Sequence, residues 1–140
     1  MPENPSNLHS NTPLCGARIW LSGSVPEEQD STEAQRSTIL NFVRQFSRLV
    51  FEHGGHIVHG SHPSITPVLL EECKRHQEQG GRKDALMLAV SRLWSKNPDI
   101  VPLDEWRQTA IVYETPEVTG ERSRDESLEQ LRRWLVARCD

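Results

Sequence analysis

The chain has 140 residues and a formal net charge of -4 at pH 7. That is one domain's worth of sequence, and its acidic balance argues against a dedicated nucleic-acid or membrane-surface binder, whose footprint would be basic. Only 35% of residues are hydrophobic, but the deficit is concentrated in the first dozen residues and in Tyr113–Glu126, so the remainder is ordinary globular sequence able to bury a core.

Cys15, Cys73 and Cys139 are odd in number and far apart, with no CxxC pair. That usage fits reduced thiols better than a disulfide framework. No apolar run approaches membrane-spanning length and Met1–Thr12 has no signal-peptide core, so the expected compartment is the cytoplasm, with no membrane partner.

Met1–Thr12 is rich in Pro, Asn and Ser and reads as a disordered leader; the leader is set at residues 1–14 and the domain at 15–140. Ala17–Leu21 is a short apolar run before Ser22-Gly23-Ser24, the pattern of a buried first strand and a loop of small residues. From about Thr32 the period turns helical, with Ile39, Val43, Phe46 and Val50 on one face and Leu40, Phe42, Leu49 and Phe51 widening it. Gly54-Gly55 ends that helix.

His56–Gly60 reads as the second strand. Ser64 is the expected N-cap of a helix with Pro67 in its first turn, running to about Gln79 and stopped by Gly80-Gly81. Ala85–Val90 supplies a third strand, Leu103–Trp106 a short helical turn and Ala110–Tyr113 a fourth strand. Leu128, Leu131 and Leu135 mark a last helix starting near Asp125 or Ser127. This order predicts the α/β class: a Rossmann-like three-layer sandwich with a mostly parallel sheet, incomplete at its C-terminal end.

The chemistry-bearing stretch is Gly54–Pro67, where a helix stop, a strand, a tight polar loop and a helix start follow one another. Such a turn presents backbone N–H groups to an anion, and helix N-termini favour negative charge by roughly 0.3–1 kcal/mol at exposed sites. Gly60, Ser61, His62 and Pro63 are therefore ligand-binding candidates. Ser22, Gly23 and Ser24 form the second candidate loop, which a parallel sheet would bring beside the first.

Arg122, on the loop after the fourth strand, could reach a phosphate with its fork of donors. Against each candidate stands an ordinary reading, a plain βα turn for the loops and a solvated charge for Arg122.

No GxGxxG and no GxxxxGK[ST] motif is present, which removes the common dinucleotide and P-loop readings. His53, His56, His59 and His62 recur every third residue, but a strand turns His56 and His59 to opposite faces, so no metal site is assigned. Trp20, Trp94, Trp106 and Trp134 read as packing residues. No GxSxG elbow supports a hydrolase triad, and no catalytic residue is assigned.

The run Leu21–Pro26, the run Gly55–Pro67 and the segment Thr115–Arg122 followed by Ser127-Leu128 and Leu131-Arg132 resemble the SLOG superfamily, the Rossmann-like fold of the Smf/DprA and Lonely Guy proteins. The likeness is closest to a bacterial sensor-type branch and spans Ala17 to about Asp140, with Gly55–Pro67 its specific part.

It implies a nucleotide or nucleotide-derived ligand of ADP-ribose or cyclic-nucleotide type, sensed in a bacterial defence or stress setting and relayed to an effector domain. By that likeness Ser22, Gly23, Ser24, Gly60, Ser61, His62 and Pro63 inherit the binding role. No cofactor is required.

Phosphoribohydrolase members carry a PGGxGTxxE loop with a catalytic glutamate, and this sequence has none. The chain thus looks like the N-terminal part of the fold, and the expectation leans away from an enzyme. The alternatives are a nucleotide N-glycosidic hydrolase, or a ligand-free scaffold forming a homo-oligomer through its unfinished sheet edge.

Overall fold

The structure, a computed structural model, describes residues 12–140. The leader assigned to residues 1–14 lies outside that range except for residues 12–14. Leu14 packs against the core and its N–H donates to the His53 carbonyl at 3.0 Å.

Four parallel strands lie side by side in chain order: β1 (Arg18–Leu21), β2 (His56–His59), β3 (Leu86–Ser91) and β4 (Ile111–Thr115). β2 and β3 are buried at every residue, because strands inside a parallel sheet are covered on both faces. Alternation along them sorts two cores. Ile57, Leu86, Leu88 and Val90 pack with α1 (Glu33–Glu52) and α2 (Thr66–Glu78); Val58, Met87 and Ala89 pack with Leu131 and Leu135 of α5 (Ser123–Arg138). The result is an α/β sandwich of Rossmann-like form.

α1 starts on a capping box. The Thr32 hydroxyl accepts from the Gln35 N–H, and the Gln35 side chain accepts from the Thr32 N–H. The helix ends at Gly54, whose φ of +81° is the left-handed conformation that glycine adopts freely.

α1 and α2 are clamped by Glu72, only 3% exposed. Arg48 grips its carboxylate with two bonds (2.9 and 3.1 Å), and Arg44 adds a third at 3.2 Å. Burial alone would raise the Glu72 carboxyl, but these guanidinium bonds and charges outweigh it and hold the pKa below the usual range.

One local expectation is corrected and one short helix is added. Ser64 does not cap α2: Ile65 occupies that position without a side-chain cap, and the Ser64 hydroxyl is spent elsewhere. A one-turn helix, α3 (Arg92–Ser95), follows β3 directly, capped by the Ser91 hydroxyl accepting from the Leu93 N–H at 3.2 Å. The turn expected at Leu103–Trp106 forms as α4. None of the helices is long and apolar enough to cross a membrane among the described residues.

Candidate functional site

β1 and β2 run in register from Arg18 opposite His56 to Leu21 opposite His59, so their following loops leave the sheet side by side. Between these loops and α5 lies a cavity of about 250 Å³. Ser22, Gly23, Ser24, Gly60 and His62 line its loop side, over His59. Leu128, Leu131, Leu135 and Arg132 of α5 form the facing wall, with Trp20 and Leu21 of β1 completing it.

Of the residues expected to bind a ligand, the structure thus brings together Ser22, Gly23, Ser24, Gly60 and His62. Ser61, Pro63 and Arg122 do not line this cavity. Arg122 sits exposed at the N-cap of α5. Among the described residues Arg132 is the one charged residue of the lining, in its place. Trp20 combines its expected packing role with a place in the cavity wall.

His59, 1% exposed, holds the two loops in position. The His62 backbone N–H donates to its Nε2 at 3.2 Å. An N–H can only donate, so Nε2 is the unprotonated nitrogen and Nδ1 carries the proton, which goes to the Leu21 carbonyl at 2.8 Å. One neutral imidazole therefore joins the end of β1 to the start of the β2 loop. Burial pushes its pKa below the ordinary histidine value, against the opposing pull of those two backbone bonds, which keeps this neutral arrangement intact.

His62 makes a second tie. The Ser64 N–H donates to its Nδ1 at 3.2 Å, and the Ser64 hydroxyl lies 2.7 Å from the same nitrogen while accepting from the Val25 N–H at 2.9 Å. With Nδ1 accepting, the His62 proton resides on Nε2, leaving a donor on a side chain that borders the cavity.

Ser61 has a φ of +62°, a left-handed conformation costing a non-glycine residue roughly 1–2 kcal/mol. Its hydroxyl donates to the Ala89 carbonyl at 2.8 Å, a bond worth about 1 kcal/mol that offsets part of the strain. Ser61 thus fastens the loop to β3 rather than facing a ligand. Gly60 serves packing as well: a Cβ there would stand 3.3 Å from Leu135 Cδ1, so its absence lets α5 close onto the loop.

The start of α2 is not the anion donor that the sequence suggested. The Ile65 and Thr66 N–H groups and the Thr66 hydroxyl all donate to the His62 carbonyl, and the Val68 and Leu69 N–H groups donate to the Ile65 carbonyl. Pro67 has no N–H to offer. Unspent polar groups lie on the β1 loop and at Gly60 and Ser61, whose N–H groups have no protein partner among the described residues. The N–H groups of Gly23 and Ser24 and the hydroxyls of Ser22 and Ser24 have no protein partner among the described residues.

A wider, more open depression of about 900 Å³ adjoins the cavity and shares His62 with it. Val25–Glu28, the start of α1 and Pro63-Ser64 bound it. A third hollow of about 490 Å³ lies beyond β3 and β4, where Lys96 pairs with Glu117 at 2.8 Å and Glu114 accepts from the Ser95 hydroxyl at 2.6 Å. Glu114 also pairs with Arg107 at 3.5 Å, so three of the hollow's four charges are engaged, and it lacks the loop of small residues that makes the β1–β2 cavity the stronger candidate.

Compared with protein-family models, with curated proteins and with solved structures, the chain matches none.

Proposed function

We propose that the chain binds a nucleotide or nucleotide-derived anion at the carboxyl ends of β1 and β2, as a sensor rather than as a catalyst. The observation that carries this reading is the make-up of the cavity wall. Among the described residues Arg132 is its only charged side chain, set opposite a loop of small residues whose N–H and hydroxyl groups are unspent. An arginine and several neutral donors suit phosphate oxygens, while Trp20, Leu128 and Leu131 offer apolar contact to a base or sugar.

Carboxyl ends of parallel strands are where open α/β sheets take ligands. At about 250 Å³ the cavity holds a fragment of such a ligand, and the adjoining depression past His62 has room for the rest. The likeness to SLOG proteins in Leu21–Pro26 and Gly55–Pro67 points to the same ligand class.

A glycosidic-bond hydrolase would need a carboxylate beside the bond it breaks; among the described residues none lining this cavity is acidic, and the carboxylates nearby, Glu27, Glu28 and Glu33, border the adjoining depression. The test is thermal-shift screening against ADP-ribose, its cyclic isomers, NAD and cyclic nucleotides, with inorganic phosphate as the control. A rise in Tm with one of the nucleotides, reduced in Arg132→Ala and retained in Arg122→Ala, is expected. No rise with any of them would remove the reading.

A further inference from the structure

α5 borders two cavities. One is the β1–β2 cavity; the other, of about 310 Å³, lies between the helix and the sheet face it covers. Val58 and Met87 of the two central strands form the floor of this second cavity, and Tyr113 of β4 and Trp134 of α5 give it an aromatic wall. Arg18, the first residue of β1, and Arg138, in the last turn of α5, complete the lining. Strand alternation brings these residues to one face. Val58 stands beside Met87, Met87 beside Ile111, and Tyr113 follows Ile111 by two.

The rings of Tyr113 and Trp134 are 4.9 Å apart and tilted by 43°, and the Arg138 guanidinium lies 4.0 Å over the Trp134 ring. Stacking fixes the plane of the guanidinium and leaves its edge to donate; one N–H reaches the Trp134 carbonyl at 3.3 Å and the others are free of protein acceptors among the described residues. Neither Arg18 nor Arg138 forms an ion pair among the described residues. Asp140 lies beside Arg18, but its carboxylate accepts from the Arg18 backbone N–H, at 2.8 Å, and not from the guanidinium.

We propose that this cavity binds a small aromatic acid, a body of one or two rings carrying a carboxylate. Each part of that ligand has its counterpart in the lining. Tyr113 and Trp134 offer ring faces and edges, and the Met87 thioether is a favourable neighbour for an aromatic ring. Two guanidiniums with no acidic side chain among the described lining residues call for an anion, and their forks match the planar carboxylate. The volume stands at the lower end of the roughly 300–1,000 Å³ typical of ligand cavities, which limits the body to one or two rings.

A nucleotide is the poorer occupant. Its ribose hydroxyls would find no partner on the floor of Val58 and Met87, and this cavity has no counterpart of the Ser22–Ser24 loop. The two cavities therefore differ in chemistry as well as in place.

Titration of the full chain with naphthoate, followed in ¹H–¹⁵N spectra, tests this. The Trp134 indole N–H and the Met87 and Tyr113 amides should shift in a saturable manner, while the amides of Ser22, Gly23 and Ser24 stay still. Naphthalenemethanol, which keeps the rings and lacks the charge, should bind about tenfold more weakly or worse, and so should cyclohexanecarboxylate, which keeps the charge and lacks the aromatic ring. Neither comparison needs a variant. Arg18→Ala and Arg138→Ala remove exposed side chains, should leave the circular dichroism unchanged and should each weaken naphthoate binding by about three- to tenfold. Arg138→Lys, which restores the charge without the flat fork, should recover only part of that loss. Arg133→Ala, on the same helix but outside the cavity, should bind like wild type. No saturable shift at Trp134 up to the solubility limit, equal binding of either analogue, shifts centred on Ser22–Ser24, or an affinity unchanged in both folded arginine-to-alanine variants would each overturn the proposal.

Discussion

The protonated Nδ1 of His59 donates to the Leu21 carbonyl 2.8 Å away, so the carboxyl ends of β1 and β2 are joined by a buried side chain. Its Nε2 in turn receives the N–H of His62, at the edge of the cavity. His59→Asn keeps a donor near Leu21 but leaves the His62 N–H without its acceptor. A loss of about 1–3 kcal/mol is expected in urea unfolding at neutral pH.

The same residue gives stability a pH dependence of defined sign. Burial lowers the folded-state pKa of His59 below 6.5, so as pH falls the unfolded chain takes up a proton that the folded chain refuses. Its contribution is complete above about pH 6.5 and declines below it, until the folded-state pKa is reached, by at most about 1.4 kcal/mol per pH unit. His76 is shifted in the same direction by its own burial and remains in the variant. Stability measured from pH 7.5 down to pH 5 should therefore fall more steeply for wild type than for His59→Asn.

Ser61 stands in a left-handed conformation and is fastened to Ala89. Ser61→Ala keeps the strain and loses the bond, costing about 1–2 kcal/mol. Ser61→Gly loses the bond but relieves the strain and should be the more stable of the two. Tm measurements on the pair check the order, and Ser61→Ala at least as stable as Ser61→Gly would refute it.

The Glu72 clamp predicts a second pH effect, at lower pH. Glu72→Gln retains the shape but loses the charge that engages Arg44 and Arg48, at a cost of about 1–3 kcal/mol at pH 7. The wild-type carboxyl is held below 4.5, so its contribution is full above that pH and is lost as pH falls through the folded-state pKa. The stability gap between wild type and Glu72→Gln should accordingly narrow in acid.

The three cysteines should separate cleanly by reactivity. Cys15 is exposed. Cys139 is half-buried, and its thiol is pushed up by burial and by the neighbouring Asp140 charge. Cys73 is fully buried and burial pushes it up to about 11. A thiol-specific disulfide reagent should modify Cys15 first, Cys139 more slowly and Cys73 only on unfolding.

The strands and the long helices were legible because their signals are local. The change to a helical period near Thr32 announces α1, and the apolar runs around Ile57 and Leu86–Val90 announce strands buried on both faces. Convergence of Ser22–Ser24 with Gly60 and His62 followed from parallel pairing alone. Ser64 misled because a serine just ahead of a helix can cap it or reach sideways. Here it reaches across to Val25 and His62, a choice set by contact between loops distant in sequence.

Arg132 falls in a segment that resembles SLOG proteins, but from the sequence it receives no binding role. Its place four residues after Leu128, flanking the Leu128–Leu131–Leu135 stripe, is the signal that could have found it. His59 carried a signal too, as an imidazole inside a four-residue strand with no exposed position.

The nucleotide reading is tested most directly by following backbone amides in ¹H–¹⁵N spectra while the ligand with the largest thermal shift is titrated in. ADP-ribose serves if several are equal. The amides of Ser22, Gly23, Ser24, Gly60 and His62 should shift in a saturable manner, those of the α2 start at Thr66 and Val68 should move little, and Arg132→Ala should weaken the apparent affinity by about tenfold or more, as the loss of a charged hydrogen-bonding partner worth at least 1.4 kcal/mol requires. Shifts confined to residues outside this cavity, or an affinity unchanged in Arg132→Ala, would contradict it.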